Sequence, residues 1–170
     1  MLEFLFARLT AGQERGAAAF GAVTKIAREP GFYREGRVPD TIDGRFAVLA
    51  TVTALLLARL ERDGEAGDAQ SAAVTERFIA AMEAEHREFG LGDPTLGKTV
   101  RKLVGSLVRR LDLWRLALAG TAEWDSATLQ SLHAGEAEPD ALASSADRLR
   151  RISDRFQSAT LDEISEGRIG

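Results

Sequence analysis

The chain contains no cysteine, and this absence excludes disulfides as well as metal and redox sites built on thiolates. Histidine is almost as scarce, because His86 and His133 are the only two. A metal site made chiefly of imidazoles is therefore disfavoured. The alternation of apolar and polar residues that marks a half-buried strand is nearly absent too, so nothing in the sequence predicts a sheet.

The chain also lacks a hydrophobic run long enough to span a bilayer. Its most apolar stretch, from Phe46 to Ala58, has 13 residues, whereas a membrane-spanning helix needs about 20. The opening "MLEFLFARLTAG" has no basic residue ahead of its apolar part, and Glu3 and Arg8 interrupt it, so it predicts no secretory signal. We expect the run from Phe46 to Ala58 to form a helix buried in the core.

The helical repeat is what the sequence does contain. Its 170 residues suffice for one compact domain, and apolar residues recur at every third or fourth position. Helices are predicted over 17–29, 41–62, 69–89, 94–119 and 139–159, with loops over 63–70 and 133–140 and a loose tail over 160–170. A short opening helix would align Leu2, Leu5, Phe6 and Leu9, either to dock on the bundle or to touch a membrane surface. The predicted fold class is all-α, a single-domain irregular bundle of about five to seven helices over residues 1–170.

The stretch "GDPTLGKT", residues 92–99, fits the pattern of a phosphate-binding loop. Such a loop needs a buried strand before it, but the preceding "AEHREFGL" is the end of a charged amphipathic helix. We therefore interpret the stretch as a corner between two helices, with Asp93 as cap and Pro94 in the first turn. Gly97 would then lie inside a helix, at a cost of about 1 kcal/mol relative to alanine, which predicts a close neighbour at that position.

No catalytic or metal-binding constellation stands out. Glu83 and His86 match half of a di-iron motif, but the second half would need a glutamate where Gln130 stands before His133. No serine or threonine has a nucleophile setting, and the abundant acids leave a paired-carboxylate site open without singling out a pair. Glu85, if buried on the apolar stripe, would need a partner. We predict no enzyme activity, no catalytic residue, no metal and no cofactor.

A basic stripe follows the corner. Six basic residues and one acid, Asp112, lie between Lys98 and Arg115, in a chain whose net charge is −4. The stripe consists of Lys98, Arg101, Lys102 and Arg109, with Gly105 among them. It is either a solvated helix face or a contact for an anionic partner, such as lipid headgroups, ribosomal RNA or an acidic protein. Because no aromatic residues are interleaved, single-strand or sequence-specific RNA binding is disfavoured.

Two stretches and the apolar helix between them carry a family resemblance. They are "AREPGFYREGRVPDTIDGRF", residues 27–46, and "MEAEHREFGLGDPTLGKTVRKL", residues 82–103. On these the chain resembles the ubiquinol–cytochrome c chaperone family, assembly factors for the cytochrome bc1 complex, most strongly over 26–114. The matching residues are Pro30, Phe32 and Tyr33, then Pro39, Asp40, Thr41, Asp43, Gly44, Arg45 and Phe46, then Arg87, Glu88, Gly90, Gly92, Asp93, Gly97 and Lys98.

The resemblance implies a helical, non-enzymatic chaperone that binds newly made cytochrome b. It also implies a small partner protein and contact with the ribosome or the inner-membrane surface, and no role for DNA. A bacterial member would act in the cytoplasm or at the inner face of the cytoplasmic membrane. Two departures stand out, His86 where leucine is expected and "LVRRL" where the family carries a tyrosine.

We hypothesise that client or partner binds near the corner, through Arg45, Lys98, Arg101, Lys102 and Arg109. The alternative is a generic helical protein-interaction module whose basic face binds an acidic partner or a membrane surface. The remaining motif residues are predicted to shape the fold, namely Pro39, Asp40, Asp43, Gly44, Arg87, Glu88, Gly90, Gly92, Asp93 and Gly97.

Overall fold

The computed structural model describes residues 16–88 and 93–169. Every regular element in these two ranges is helical, which confirms the predicted all-α class. The helices are α1 (16–27), α2 (Ile42–Leu60), α3 (Gly64–Glu88), α4 (Asp93–Leu118), α5 (Trp124–Leu132), α6 (Pro139–Ser158) and α7 (Leu161–Ser165), with 3₁₀ turns at Pro30–Phe32 and Glu61–Asp63. The opening helix and the corner at 89–92 that the sequence predicts lie outside the described residues.

The central element is α2, which packs against α3, α4, α5 and α6. Its start is fixed by Thr41, whose hydroxyl accepts a hydrogen bond of 3.2 Å from the backbone N–H of Gly44. Asp43 adds negative charge in the first turn, where it complements the helix dipole. From Val48 onward nearly every side chain of α2 is buried, which confirms the expectation of a core helix.

Aromatic side chains link the surrounding helices to this core. The fully buried ring of Trp114 in α4 meets that of Trp124 in α5 edge-on, with centroids 4.8 Å apart. Phe78 in α3 contacts Phe20 at 6.3 Å and Phe46 at 6.1 Å. Such pairs add specific geometry to the burial of large apolar surfaces.

Two differences from the sequence-based assignment concern helix boundaries. Residues 63–70 were predicted as a loop because Gly64 and Gly67 are turn residues, and this prediction is wrong. Gly64 does turn the chain, with φ of +57°. Gly67, however, lies within α3. Glycine is needed there because a Cβ would collide with the carbonyl oxygen of Leu60. The sequence also gave no sign of α5, whose nine residues are too few for intrinsic propensity to decide.

The prediction of a loose tail is also wrong. Thr160 and Glu163 form a reciprocal capping box that starts α7. Ile164 and Ile169 are buried in the core, and the backbone at Gly167 adopts φ of +74° against the carbonyl of Ala18. The last residues therefore close the bundle over α1.

A connector between α1 and α2, residues 28–41, is held in place by α6. Arg148 donates to Glu29 at 3.0 Å and lies over the ring of Phe32, 5.5 Å from its centroid. Gly31 sits directly beneath this guanidinium, which a Cβ there would displace. Farther along α6, the backbone carbonyls of Phe156 and Ala159 accept hydrogen bonds from the buried Arg59 of α2. These contacts fix the connector relative to α2. Among the described residues, no helix has the length and hydrophobicity that a bilayer crossing demands.

Candidate functional site

A cavity of about 610 Å³ opens where α1, the connector, the start of α2 and the end of α3 meet. Its lining is Thr24, Ala27, Arg28, Pro30, Tyr33, Arg34, Asp40, Arg45, Phe46, Leu49, Met82 and Glu85. The half-buried or buried members form an apolar floor, while the charged members are exposed and form its rim. We call it the connector cavity. Its size and mixed lining are typical of sites that take an apolar group and orient it by charge.

The rim is organised by one ion pair. Arg45 Nε donates to Asp40 Oδ1 at 2.6 Å, and this hydrogen bond lowers the pKa of Asp40 and raises that of Arg45. Both side chains are largely exposed, so water and salt screen the pair and it contributes little to stability. What it does is hold the Arg45 guanidinium at the mouth of the connector cavity.

The floor offers little hydrogen bonding to a ligand. The Tyr33 hydroxyl donates to the carbonyl oxygen of Ala27 at 2.9 Å, and burial raises the pKa of this phenol, so it stays neutral. The Thr24 hydroxyl likewise donates to the carbonyl oxygen of Phe20 at 2.9 Å. Since both protons are used within the protein, an occupant of the floor gains chiefly by burying apolar surface.

A second cavity of about 570 Å³ lies on the other side of the start of α2, toward α4 and α5. Phe46 lines both cavities. Arg110 closes the second cavity by donating to the carbonyl oxygen of Ser131 at 2.9 Å, with its guanidinium 5.7 Å from the Phe46 centroid. His133 lies 3.1 Å from the Ser145 hydroxyl, and burial lowers its pKa.

The basic residues of α4 fall into two groups. Arg110 is half-buried, and Arg115 pairs with Glu61 and with Asp112, so neither is available to a partner. Lys98, Arg101, Lys102 and Arg109 are exposed, and none of them forms an ion pair within the described ranges. These four cations line neither cavity. Of the five residues hypothesised to form one binding surface, Arg45 alone lines a cavity.

Comparison with known proteins supplies the family. The model of the ubiquinol–cytochrome c chaperone family matches residues 34–162, about three quarters of the chain. The chain belongs to this chaperone family. The match confirms the resemblance found in the sequence, and it runs well beyond the predicted limit of residue 114, through α5 and α6.

A solved structure has the same fold. It is the crystal structure of the Cbp3 homolog from Brucella abortus, which is 23% identical and superposes with a TM-score of 0.78. The similarity covers 98% of this chain and 94% of that one. No curated protein matches the chain in sequence.

The second group of family-motif residues, from Pro39 to Phe46, lies at the start of α2. Asp40 and Arg45 line the connector cavity, and Pro39, Asp43 and Gly44 line the second one. Gly44 is buried, and glycine is needed there because a Cβ would press on the carbonyl oxygen of Pro39. The second motif is thus a turn that places two cavities back to back.

The third family motif lies only partly within the described residues. Arg87 and Glu88 are exposed at the end of α3, and Asp93 is the first residue of α4, while Gly90 and Gly92 lie outside the described residues. No described atom lies within 4 Å of a Cβ built at Gly97, so the close neighbour predicted there is not found among residues 16–88 and 93–169.

Sequence reasoning missed most of the connector cavity. Glu85 is exposed on the rim rather than buried, and Arg28 and Arg34 were not singled out. One signal was available, because Phe46 and Leu49 in α2 are three positions apart and therefore share a face. What the sequence cannot supply is that this face meets Met82 of α3, since that contact depends on how the helices pack.

Proposed function

We propose that this chain is a non-enzymatic assembly chaperone that binds newly synthesised cytochrome b and supports biogenesis of the ubiquinol–cytochrome c reductase (bc1) complex. The observation that carries the proposal is membership of the ubiquinol–cytochrome c chaperone family across residues 34–162. That range includes the second half of the connector, α2, and the lining residues of the connector cavity from Arg34 onward.

The connector cavity suits such a client. Cytochrome b is a bundle of apolar membrane helices, and before assembly its apolar side chains need cover. A cavity of about 610 Å³ with an apolar floor accepts one or two large side chains, and the exposed Arg28, Arg34 and Arg45 meet polar groups at its mouth. Binding of this kind needs no ATP. This agrees with the sequence of residues 92–99, which lacks the preceding strand that a phosphate-binding loop requires. We propose that Arg45 contacts the client at the mouth of the connector cavity.

The four cations of α4 form a second surface that serves electrostatic contact with an anionic partner of the chaperone. A bacterial member would work in the cytoplasm and at the inner face of the membrane where its client inserts. A small partner protein or the ribosome would be further candidates for this contact. The alternative function is a generic helical interaction module, favoured by the same exposed basic face.

Deleting the gene separates these two functions. If the chain is the proposed chaperone, membranes of the deletion strain should lose most of the reduced-minus-oxidised haem b signal of the bc1 complex and the antimycin-sensitive quinol oxidation. Complementation with the wild-type gene should restore both. Normal bc1 levels in the deletion strain would exclude the chaperone function and favour the generic interaction module.

A further inference from the structure

The outward surface of α4 carries more than charge. Helical spacing places one set of residues along a single side of α4, and we call it the outer face of α4. It consists of Lys98, Arg101, Lys102, Gly105, Val108, Arg109, Asp112 and Leu116. From Lys98 to Leu116 it is about 27 Å long at the helical rise of 1.5 Å per residue.

Two aliphatic side chains stand on this face without cover. Val108 is 48% exposed and Leu116 is 52% exposed. Within residues 16–88 and 93–169, Ile42 is the one other large aliphatic side chain exposed to this degree. Two of these three exposed aliphatic side chains, Val108 and Leu116, therefore lie on the outer face of α4 beside its cations. An exposed apolar residue is ordinary by itself. Here, however, the two lie beside basic residues, and a surface that combines both can gain from anionic headgroups and from burial at the acyl boundary together.

The cations of this face are free to meet an external anion. Lys98, Arg101, Lys102 and Arg109 have no ion-pair partner among the residues that the structure describes. The one acid of the face, Asp112, is paired with Arg115 at 2.5 Å and is thereby neutralised. The chain as a whole carries a net charge of −4, so an anionic surface repels its other faces on average and orients α4 toward itself.

We propose that the outer face of α4 docks on an anionic phospholipid bilayer, with the four cations at the headgroups and Val108 and Leu116 in contact with the acyl boundary. The proposal rests on the proposed function, because a chaperone whose client is a membrane protein has a reason to be at a membrane. Docking would hold the connector cavity close to the bilayer into which an apolar client inserts.

The composition of the face favours lipid over RNA. Single-stranded RNA is held by aromatic stacking together with charge, and the outer face of α4 has no aromatic residue. It also has no asparagine or glutamine to read base edges. Exposed valine and leucine, in contrast, gain nothing from a phosphate backbone but lose their contact with water at an acyl boundary.

Vesicle flotation tests the electrostatic part. The full chain is mixed with vesicles of phosphatidylcholine alone or with phosphatidylglycerol at one third. We expect wild type to float with the anionic vesicles only, and Lys98→Glu/Arg101→Glu/Lys102→Glu to bind them at least tenfold more weakly. The matched control is Lys25→Glu/Arg62→Glu/Arg151→Glu, which makes the same change in net charge at three exposed cations of α1, the 3₁₀ turn after α2 and α6. It should keep at least half of wild-type binding.

The apolar part has its own readout. Val108→Trp places a fluorophore on the outer face, and its emission above the wild-type background should shift to the blue with anionic vesicles and be quenched by brominated acyl chains. Lys25→Trp, on the exposed side of α1, should show neither change. Val108→Ser/Leu116→Ser should weaken binding several-fold while circular dichroism stays that of the wild type.

Three results would overturn the proposal. They are absence of wild-type binding to anionic vesicles, equal loss in the α4 and control triple variants, and a Val108→Trp signal that vesicles do not change. If the α4 triple variant instead loses binding to RNA while wild type ignores vesicles, the face is an RNA contact and the membrane proposal fails. Failure here is distinct from failure of the chaperone function, because the bc1 content of the deletion strain tests that function without vesicles.

Discussion

At the scale of single residues, two family-motif glycines sit near the starts of helices in opposite surroundings. A Cβ at Gly44 would press on the backbone carbonyl of Pro39, which cannot move aside, whereas a Cβ at Gly97 would meet no described atom within 4 Å. We therefore expect Gly44→Ala to lower the free energy of unfolding by about 1–3 kcal/mol. Gly97→Ala should raise it by up to about 1 kcal/mol, because alanine favours the helix.

Urea unfolding followed by circular dichroism measures both glycine variants, and each serves as the control of the other. Similar losses in the two variants would mean that Gly97 has a close neighbour after all, as the sequence alone suggested. The example shows a limit of sequence reasoning, since a glycine in a helix signals either crowding or a functional constraint, and the packing around it decides which.

His133 makes the fold sensitive to acid. Burial lowers its pKa below the usual value of about 6.5, so the unfolded chain binds a proton on this residue more readily than the folded one does. Stability should then decrease as the pH falls through about 6.5 and below. His133→Gln removes this titration but keeps a polar group beside Ser145, which lies 3.1 Å from the imidazole.

The measurement is the free energy of unfolding of wild type and His133→Gln between pH 7.5 and 5.5. Every other titratable group is the same in the two proteins, so its effect cancels in the difference. We expect wild type to lose more stability over this interval than the variant does. Parallel pH profiles would show that the folded state does not disfavour the protonated imidazole.

At the scale of elements, the C-terminal segment carries more of the fold than its sequence suggests. The tail "DEISEGRIG" is charged and rich in small residues, which predicts disorder, yet Ile164 and Ile169 fill the core. Two apolar residues in a polar tail give too short a pattern to reveal a periodicity. The same limit applies to α5, which is stabilised by contacts with α4 and α6 rather than by its own sequence.

Truncating Ile164 tests this closure. Ile164→Ala should lower the free energy of unfolding by about 2–4 kcal/mol, since it removes fully buried methyl groups and leaves a cavity. Ile42→Ala is the matched control, because the same change at a half-exposed side chain should cost less than about 1 kcal/mol. Comparable small losses at both positions in urea unfolding would contradict the packed tail.

Long elements, in contrast, follow from the sequence. The run from Phe46 to Ala58 is apolar on nearly all sides and becomes the central helix α2. The boundaries of α4 and α6 fall within one residue of those predicted from periodicity and from the prolines at their starts. These segments are long enough for the 3.6-residue period to be unambiguous.

At the scale of the whole molecule, the sequence indicates the fold class and the family but not the site. Tyr33, Arg45 and Met82 come from three separate segments, and no periodicity within one segment shows that they line one cavity. The hypothesis that Arg45 and the α4 cations form one surface followed from their motifs and their charge. In the structure Arg45 lines the connector cavity and the α4 cations line neither cavity, while the shared binding surface stays a prediction.

The most direct test of the account asks whether newly made cytochrome b contacts the connector cavity. A photo-crosslinking amino acid replaces Arg45 at the mouth of the cavity or, as control, Arg151 on the exposed side of α6. Cells are irradiated during a pulse of labelled synthesis, and the products are captured with an antibody to cytochrome b. We predict a strong crosslink from position 45 and little or none from position 151. No crosslink from position 45, or equal yields from both positions in well-folded protein, would contradict the account.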